Sequence, residues 1–283
     1  MVELFKLRVE KEQTLVECVS TVTSSKKKAK KLINEGLCSV NGLKEPFYRR
    51  KVKPKSLVYV PLNHLLFQEK RPKKLYEDEY ILIINKPPFI NSNKDAPNVE
   101  EILREEDRNY TVVHRLDKQT SGALIVAKRK EVFEEFKELF RRKRVRKTYL
   151  CRVAGNFKKE RGRVNVPLDG KPSETLFKVL EEFRGISLLE VEIPTGRKHQ
   201  IRRHLSFINH PILGEFNYWK RKWKEEIHLF APRILLHAEK LEFPHPILKK
   251  AVSVRAPLPE DFKLFLQALR EKTELKVVEK EVG

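Results

Sequence analysis

Asp117 stands in the string His114-Arg115-Leu116-Asp117-Lys118-Gln119-Thr120-Ser121-Gly122, a polar turn that runs directly into the apolar stretch Ala123 to Ala127. A loop at the mouth of a buried strand holds its side chains on a rigid support, as a reacting group requires. A carboxylate so placed is able to act as general base or nucleophile. The same residues also fit a bland role, because short acids beside basic residues close Asx turns and loop ion pairs. Tyr149 lies in the alternating run Lys147 to Gly155, where pattern alone makes it a core aromatic of a half-buried strand. His199 and His204 occur in Thr195-Gly196-Arg197-Lys198-His199-Gln200-Ile201-Arg202-Arg203-His204-Leu205. Their separation misses the i, i+4 pairing of helical zinc sites, so no metal site is expected.

The chain has 283 residues, with 60 Lys and Arg against 39 Asp and Glu, a formal charge of +21. That surplus asks for a polyanion, nucleic acid first. A basic membrane surface competes as partner, but no apolar run approaches the ~18 residues of a membrane span and the start is not signal-like. A cytoplasmic protein without membrane attachment, and a monomer, is expected. Cys18, Cys38 and Cys151 are odd in number and widely spaced. They suggest neither a disulfide framework nor a zinc knuckle, and reduced structural thiols are expected.

Several segments must position these groups. Thr14 and Ser25 are placed to cap two short helices, the second running from Lys26 to Asn34 and ended by Gly36. In it Lys26, Lys27, Lys28, Lys30 and Lys31 surround an apolar stripe of Ala29, Leu32 and Ile33. Such a face is either simply solvated or, being one sign of charge, suited to phosphates. A strand ending in Asn41-Gly42 follows, then Arg49-Arg50-Lys51 and a strand near Leu57 to Val60. Residues 63–74 read as a linker. The apolar strand Ile81 to Asn85 is stopped by Lys86-Pro87-Pro88, and a helix is expected around Val99 to Glu106. Lys130 to Arg142 is amphipathic, with Val132, Phe133, Phe136, Leu139 and Phe140 on a core face. The run Arg141 to Lys147 carries six positive charges in seven residues, and a nucleic-acid backbone contact is expected of it. Thr195 looks like the cap of a basic helix. Strands are expected over Ile186 to Ile193, Arg233 to Phe243 and Val252 to Ala256, then a helix around Phe262 to Leu269 and a frayed charged tail. Many hairpin-like strands with few helices between them indicate an α+β fold with a mainly antiparallel mixed sheet.

His-Arg-Leu-Asp-x-x-Thr-Ser-Gly before an apolar strand resembles the signature of the RluA-type pseudouridine synthases. So do Lys-x-Tyr with its later Val-x-Gly at 147–155, Thr-Gly-Arg-x-His-Gln-Ile-Arg-x-His-Leu at 195–205, His-Pro-Ile-x-Gly at 210–214 and Leu-His-Ala at 236–238. The chain departs from that pattern at Phe89-Ile90-Asn91-Ser92, where a Gly-containing segment is expected. Residues 1–62 resemble the αL RNA-binding domain named after ribosomal protein S-four, although Ser25-Lys26 replace its usual Arg. The resemblance implies an S-four-like domain at 1–62, a pseudouridine synthase domain at 75–265 and a tail at 266–283.

It implies an isomerase that converts uridine in structured RNA to pseudouridine, with large-subunit rRNA favoured over tRNA. Asp117, Tyr149 and Arg202 would be catalytic: the carboxylate reacts, the guanidinium pairs with it, and the phenol faces the uracil. Arg115 would fill the gap left by the flipped base. His114, Lys147 and Arg197 would bind RNA in the catalytic domain, with Lys26, Lys27 and Lys30 in the first. No cofactor is implied, and neither a Walker loop nor a G-x-G-x-x-G is present. A non-catalytic RNA-binding ribosome assembly factor is the alternative. A DNA-binding regulator fits less well, because no recognition helix or dimerisation heptad occurs.

Overall fold

A computed structural model describes residues 2–63, 71–219, 229, 231–270 and 277–283. The chain begins with β1 (Val2–Val9), β2 (Gln13–Thr14), α1 (Leu15–Thr23), α2 (Lys26–Asn34), β3 (Ser39–Val40), β4 (Leu43–Lys44), β5 (Lys51–Val52) and β6 (Leu57–Asn63). Both expected caps are formed. Thr14 and Glu17 make a reciprocal capping box, and the Ser25 hydroxyl accepts from the Lys28 N–H. On α2 the residues Ala29, Leu32 and Ile33 are buried, which turns Lys26, Lys27 and Lys30 outward. Gly36 ends the turn at φ +67°, where a Cβ would lie 2.4 Å from the Phe216 ring.

Next come β7 (Lys73–Glu77), β8 (Ile81–Lys86), α3 (Val99–Arg104), β9 (Thr111–Val112), β10 (Ser121–Ala127), α4 (Lys130–Arg141), β11 (Arg146–Ala154), β12 (Arg161–Val164), β13 (Thr175–Phe183), β14 (Ile186–Glu192), α5 (Gln200–Phe207), β15 (Leu236–Pro244) and β16 (Ala251–Arg255). They form a sheet in the order β12-β13-β14-β11-β15-β10-β8-β7, with β16 beside β15 and β9 beside β10. Every pairing is antiparallel except β10 with β15. One face of β8 and β10, through Ile81, Ile83, Ala123, Ile125 and Ala127, packs with Val132 and Phe136 of α4. The alternate residues Leu82, Ile84, Leu124 and Val126 are buried as well. A strand buried on both faces reads as a continuous apolar run, which is why this stretch shows no alternation.

The chain closes with α6 (Glu260–Arg270) and β17 (Val277–Val282). Here the sequence expectation is corrected. The final residues are not frayed: β17 pairs in parallel with β1, from Leu4 opposite Val277 to Val9 opposite Val282, and Val282 is buried. Partners at opposite chain ends leave no local signal. By packing, the chain divides into two compact units whose segments interleave along the sequence. One compact unit comprises Met1–Gln68, Pro211–Leu235 and Glu260–Gly283, the other Glu69–His210 and Leu236–Pro259. Within the first, buried Arg233 holds buried Asp261 at 2.6 and 3.2 Å, joining two distant segments. Of the expected linker, residues 64–70 lie outside the described residues, and Lys73 and Lys74 belong to β7. All three cysteines are buried and free.

Candidate active site

The Asp117 loop is held from both ends. Downstream, Ser121 and Gly122 pair with His237 and Ala238 of β15. Gly122 has φ +118°, and a Cβ there would meet the Ala238 carbonyl oxygen at 2.2 Å, so only glycine permits this approach. His237 Nε2 lies 3.1 Å from the Ala256 carbonyl oxygen, which can only accept. The ring proton therefore sits on Nε2, and Nδ1 accepts from the Ser121 hydroxyl at 2.9 Å. Upstream, the Ser92 hydroxyl accepts from the Leu116 N–H at 3.0 Å and donates to the Leu116 carbonyl at 3.1 Å. Buried Lys86 donates to the carbonyls of Pro87 and Ile90, each at 2.9 Å, and of Lys118 at 3.3 Å. Phe89 adopts φ +66° with its side chain buried, the left-handed conformation usually left to glycine.

The turn itself is closed by the main chain, with the Thr120 N–H donating to the Asp117 carbonyl at 2.9 Å. The carboxylate is therefore not spent as an Asx cap. It lies 3.4 Å from Arg202 Nη1 and 3.7 Å from His199 Nε2. Arg202 lies in the first turn of α5 and His199 immediately before it, and both side chains reach the same carboxylate. His199 stands at the N-cap with φ +53° and no side-chain cap, so the expected cap at Thr195 is corrected. The Thr195 hydroxyl instead donates to Gln200 Oε1 at 2.8 Å, and the Arg197 N–H donates to the same oxygen at 3.0 Å, which folds the 195–199 loop against the helix.

Tyr149 sits on β11 beside a register slip in β15, where Glu239 is passed over between the Thr148–Lys240 and Tyr149–Ala238 pairs. It lines a cavity of about 430 Å³ shared with Asp117, Arg202, His199, Arg115, Lys147 and Arg197. Burial, and then the charge of Asp117, raises the Tyr149 phenol well above its ordinary range, so it is a neutral donor at any physiological pH. Burial pulls the Lys147 ammonium down to about 8; its Nζ lies 5.5 Å from the centre of the Phe140 ring. The His114 ring leans on Phe140 at 5.6 Å, and its Nε2 accepts from the Ile125 N–H at 3.2 Å. Burial, with Lys147 nearby, brings His114 down to about 3, and it is neutral.

Residues 80–207 match the family described as RNA pseudouridylate synthase. The ribosomal large subunit pseudouridine synthase C of Vibrio vulnificus is 35% identical over 216 residues, 69% of this chain and 69% of that protein. Its Escherichia coli namesake is 35% identical over 221 residues, again 69% of each. The chain belongs to the RNA pseudouridylate synthase family. Among solved structures, the human RNA pseudouridylate synthase domain containing 4 aligns with a TM-score of 0.60 and 26% identity over 70% of this chain and 93% of that one. Human RNA pseudouridylate synthase domain containing 1 gives 0.58 and 25%, over 71% and 96%. As a pseudouridine synthase the chain is an isomerase acting on RNA, and no helix among its described residues is long and apolar enough to cross a membrane.

In this pseudouridine synthase Asp117, Tyr149, Arg202, Arg115, His114, Lys147 and Arg197 line one cavity, whereas Lys26, Lys27 and Lys30 belong to the other compact unit. His114 is half-buried, lining the cavity while its Nε2 accepts from the Ile125 N–H of β10. The basic run divides: Arg141 and Arg142 pair with Glu138, Arg146 pairs with Glu192, and Lys147 turns into the cavity. Phe140, expected in the core, forms part of the cavity wall. His199 was weighed in the sequence only as a metal ligand. Its three-residue offset from Arg202 was the available signal that it faces the same carboxylate. His204 is engaged elsewhere, with Nδ1 at 2.9 Å from the Thr175 hydroxyl and Nε2 at 2.9 Å from the Val166 carbonyl.

Proposed function

We propose that this synthase isomerises uridines in structured RNA, large-subunit rRNA rather than tRNA, with Asp117 as the reacting carboxylate. The observation that carries the reading is the Asp117 carboxylate in a basic cavity, 3.4 Å from a buried guanidinium and beside a neutral phenol. The rRNA preference rests on the relatives named for the ribosomal large subunit.

The reaction breaks the bond between uracil N1 and ribose C1′, turns the base, and joins C5 to C1′; the proton lost from C5 is balanced by the one gained at N1. An ionised carboxylate serves whether it attacks the ribose or removes a ribose proton first. Arg202 pairs with that carboxylate and fixes its aim when the substrate displaces water. His199, when protonated, adds a second positive charge. Tyr149, which lines the cavity, stacks against the uracil and assists the proton shift. Arg115, exposed at the loop, takes the place of the extruded base, since flipping costs a few kcal/mol that a planar cation can partly offset by stacking. Residues 1–62 act as an S-four-like RNA-binding domain through the exposed lysines of α2. The protein would act as a monomer, and an rRNA substrate supports a cytoplasmic site of action.

The test is Asp117→Asn on an unmodified rRNA transcript. Loss of pseudouridine formation with binding intact is expected; an active variant rejects the assignment. Mapping pseudouridines in rRNA and tRNA from cells lacking the gene identifies the substrate, and loss confined to tRNA rejects the rRNA reading.

A further inference from the structure

The loop Glu45-Pro46-Phe47-Tyr48-Arg49-Arg50-Lys51 lies wholly in the first compact unit. Phe47 is 72% exposed. A single apolar side chain at a surface is ordinary. What sets this one apart is how firmly the backbone holds it out. Buried Glu45 accepts from the Phe47 N–H at 3.1 Å and pairs with Arg50. The Arg50 N–H donates to the Phe47 carbonyl at 3.0 Å, and the carbonyls of Tyr48 and Arg50 accept from Val16 and Leu15 at 3.0 and 2.8 Å. The turn is braced through its main chain and its acid, and the Phe47 ring contributes nothing to it.

Next to Phe47 the exposed charges are cations, since the one acid of the loop, Glu45, is buried and paired with Arg50. Lys30 Nζ stands 5.1 Å from the centre of the Tyr48 ring, and the Arg49 guanidinium 5.6 Å from it. Among the described residues Lys27, Lys30 and Arg49 form no ion pair. A pre-set aromatic face beside unneutralised cations matches a base and its phosphates, since every nucleobase has an apolar face and stacking on an aromatic is indifferent to sequence.

We propose that Phe47 is a stacking ledge for one unpaired nucleobase of the bound RNA, with Lys27, Lys30 and Arg49 taking the neighbouring phosphates. The ledge rests on the RNA reading of this unit, and the two fail differently.

The experiment uses the full-length protein and a short single-stranded RNA carrying one 2-aminopurine, whose fluorescence is quenched by stacking. Wild type quenches on binding. Phe47→Ala loses the quench and binds about tenfold more weakly, Phe47→Trp keeps both, and an RNA abasic at the reporter position erases the difference between wild type and Phe47→Ala. The melting temperature stays unchanged, because the ring is solvent-facing. Equal quench and affinity in Phe47→Ala overturn the ledge alone. A lower melting temperature for Phe47→Ala overturns it too, by showing that the ring packs. No binding by wild type overturns the RNA reading of the unit and the ledge with it.

Discussion

Arg233–Asp261 and Arg202–Asp117 are the same two side chains at different depths. The first pair is wholly buried and two-pronged, at 2.6 and 3.2 Å, and Arg233 also donates to the Ile234 carbonyl at 2.9 Å. The second touches at a single 3.4 Å contact, with the Asp117 side chain 23% exposed to the cavity. A dehydrated bidentate pair has committed its accepting capacity and serves to join chain segments. Asp117 is oriented by a guanidinium yet retains lone pairs for an incoming ribose or proton. Rigidity in one unit and spare capacity in the other thus come from geometry, not residue type.

The sharpest break in this comparison is Asp117→Asn. Turnover should fall by roughly 10⁴-fold, measured as single-turnover pseudouridine formation, with RNA affinity nearly unchanged. Asp261→Asn should do the opposite and cost about 3–5 kcal/mol of stability in denaturant unfolding, because a charge is left buried without its partner. In the same assay Asp117→Asn should cost about 1 kcal/mol or less, and equal losses would erase the distinction. Arg202→Lys keeps the charge and loses the planar fork; a drop in turnover of about 10- to 100-fold at unchanged melting temperature is expected.

Two titrations give smaller effects. His114 is held near 3 in the fold against an ordinary 6.5, so between those values the unfolded chain binds a proton that the folded chain refuses. Stability should therefore decline as pH falls from 6.5 towards 3, and His114→Asn should flatten that part of the curve. Lys147 is held near 8 against 10.5. Over that window the unfolded chain binds the extra proton, so stability rises with pH while the cavity loses its ammonium. RNA affinity should weaken by a few-fold above about 8, and Lys147→Met should lack that step. An affinity indifferent to pH in wild type would remove Lys147 from the RNA contact.

Much of this was readable locally. Thr14 and Ser25 announced two helices because a cap depends on neighbours three residues away. The apolar run after Gly122 announced a buried strand, and the ordered motif at 114–122 marked the loop. Phe89 was noted as a departure, but its left-handed backbone was hidden because the surrounding Lys86 and Ser92 bonds impose it. That Tyr149 lines the cavity was equally hidden, since pattern alone puts its ring in the core. Thr195 is no helix cap because its hydroxyl is taken by the Glu174 N–H, 21 positions away, and by Gln200.

Residue order alone determined which groups were available: a carboxylate on a glycine-ended loop, a basic helix, an excess of cations, and helices and strands of about the right extent. Folding decided what each group faces. Asp117 meets Arg202 across 85 positions and β17 meets β1 across almost the whole chain. Capping and periodicity act within a turn or two of backbone, whereas aim is set by strand register and close approach between segments that the linear order keeps apart.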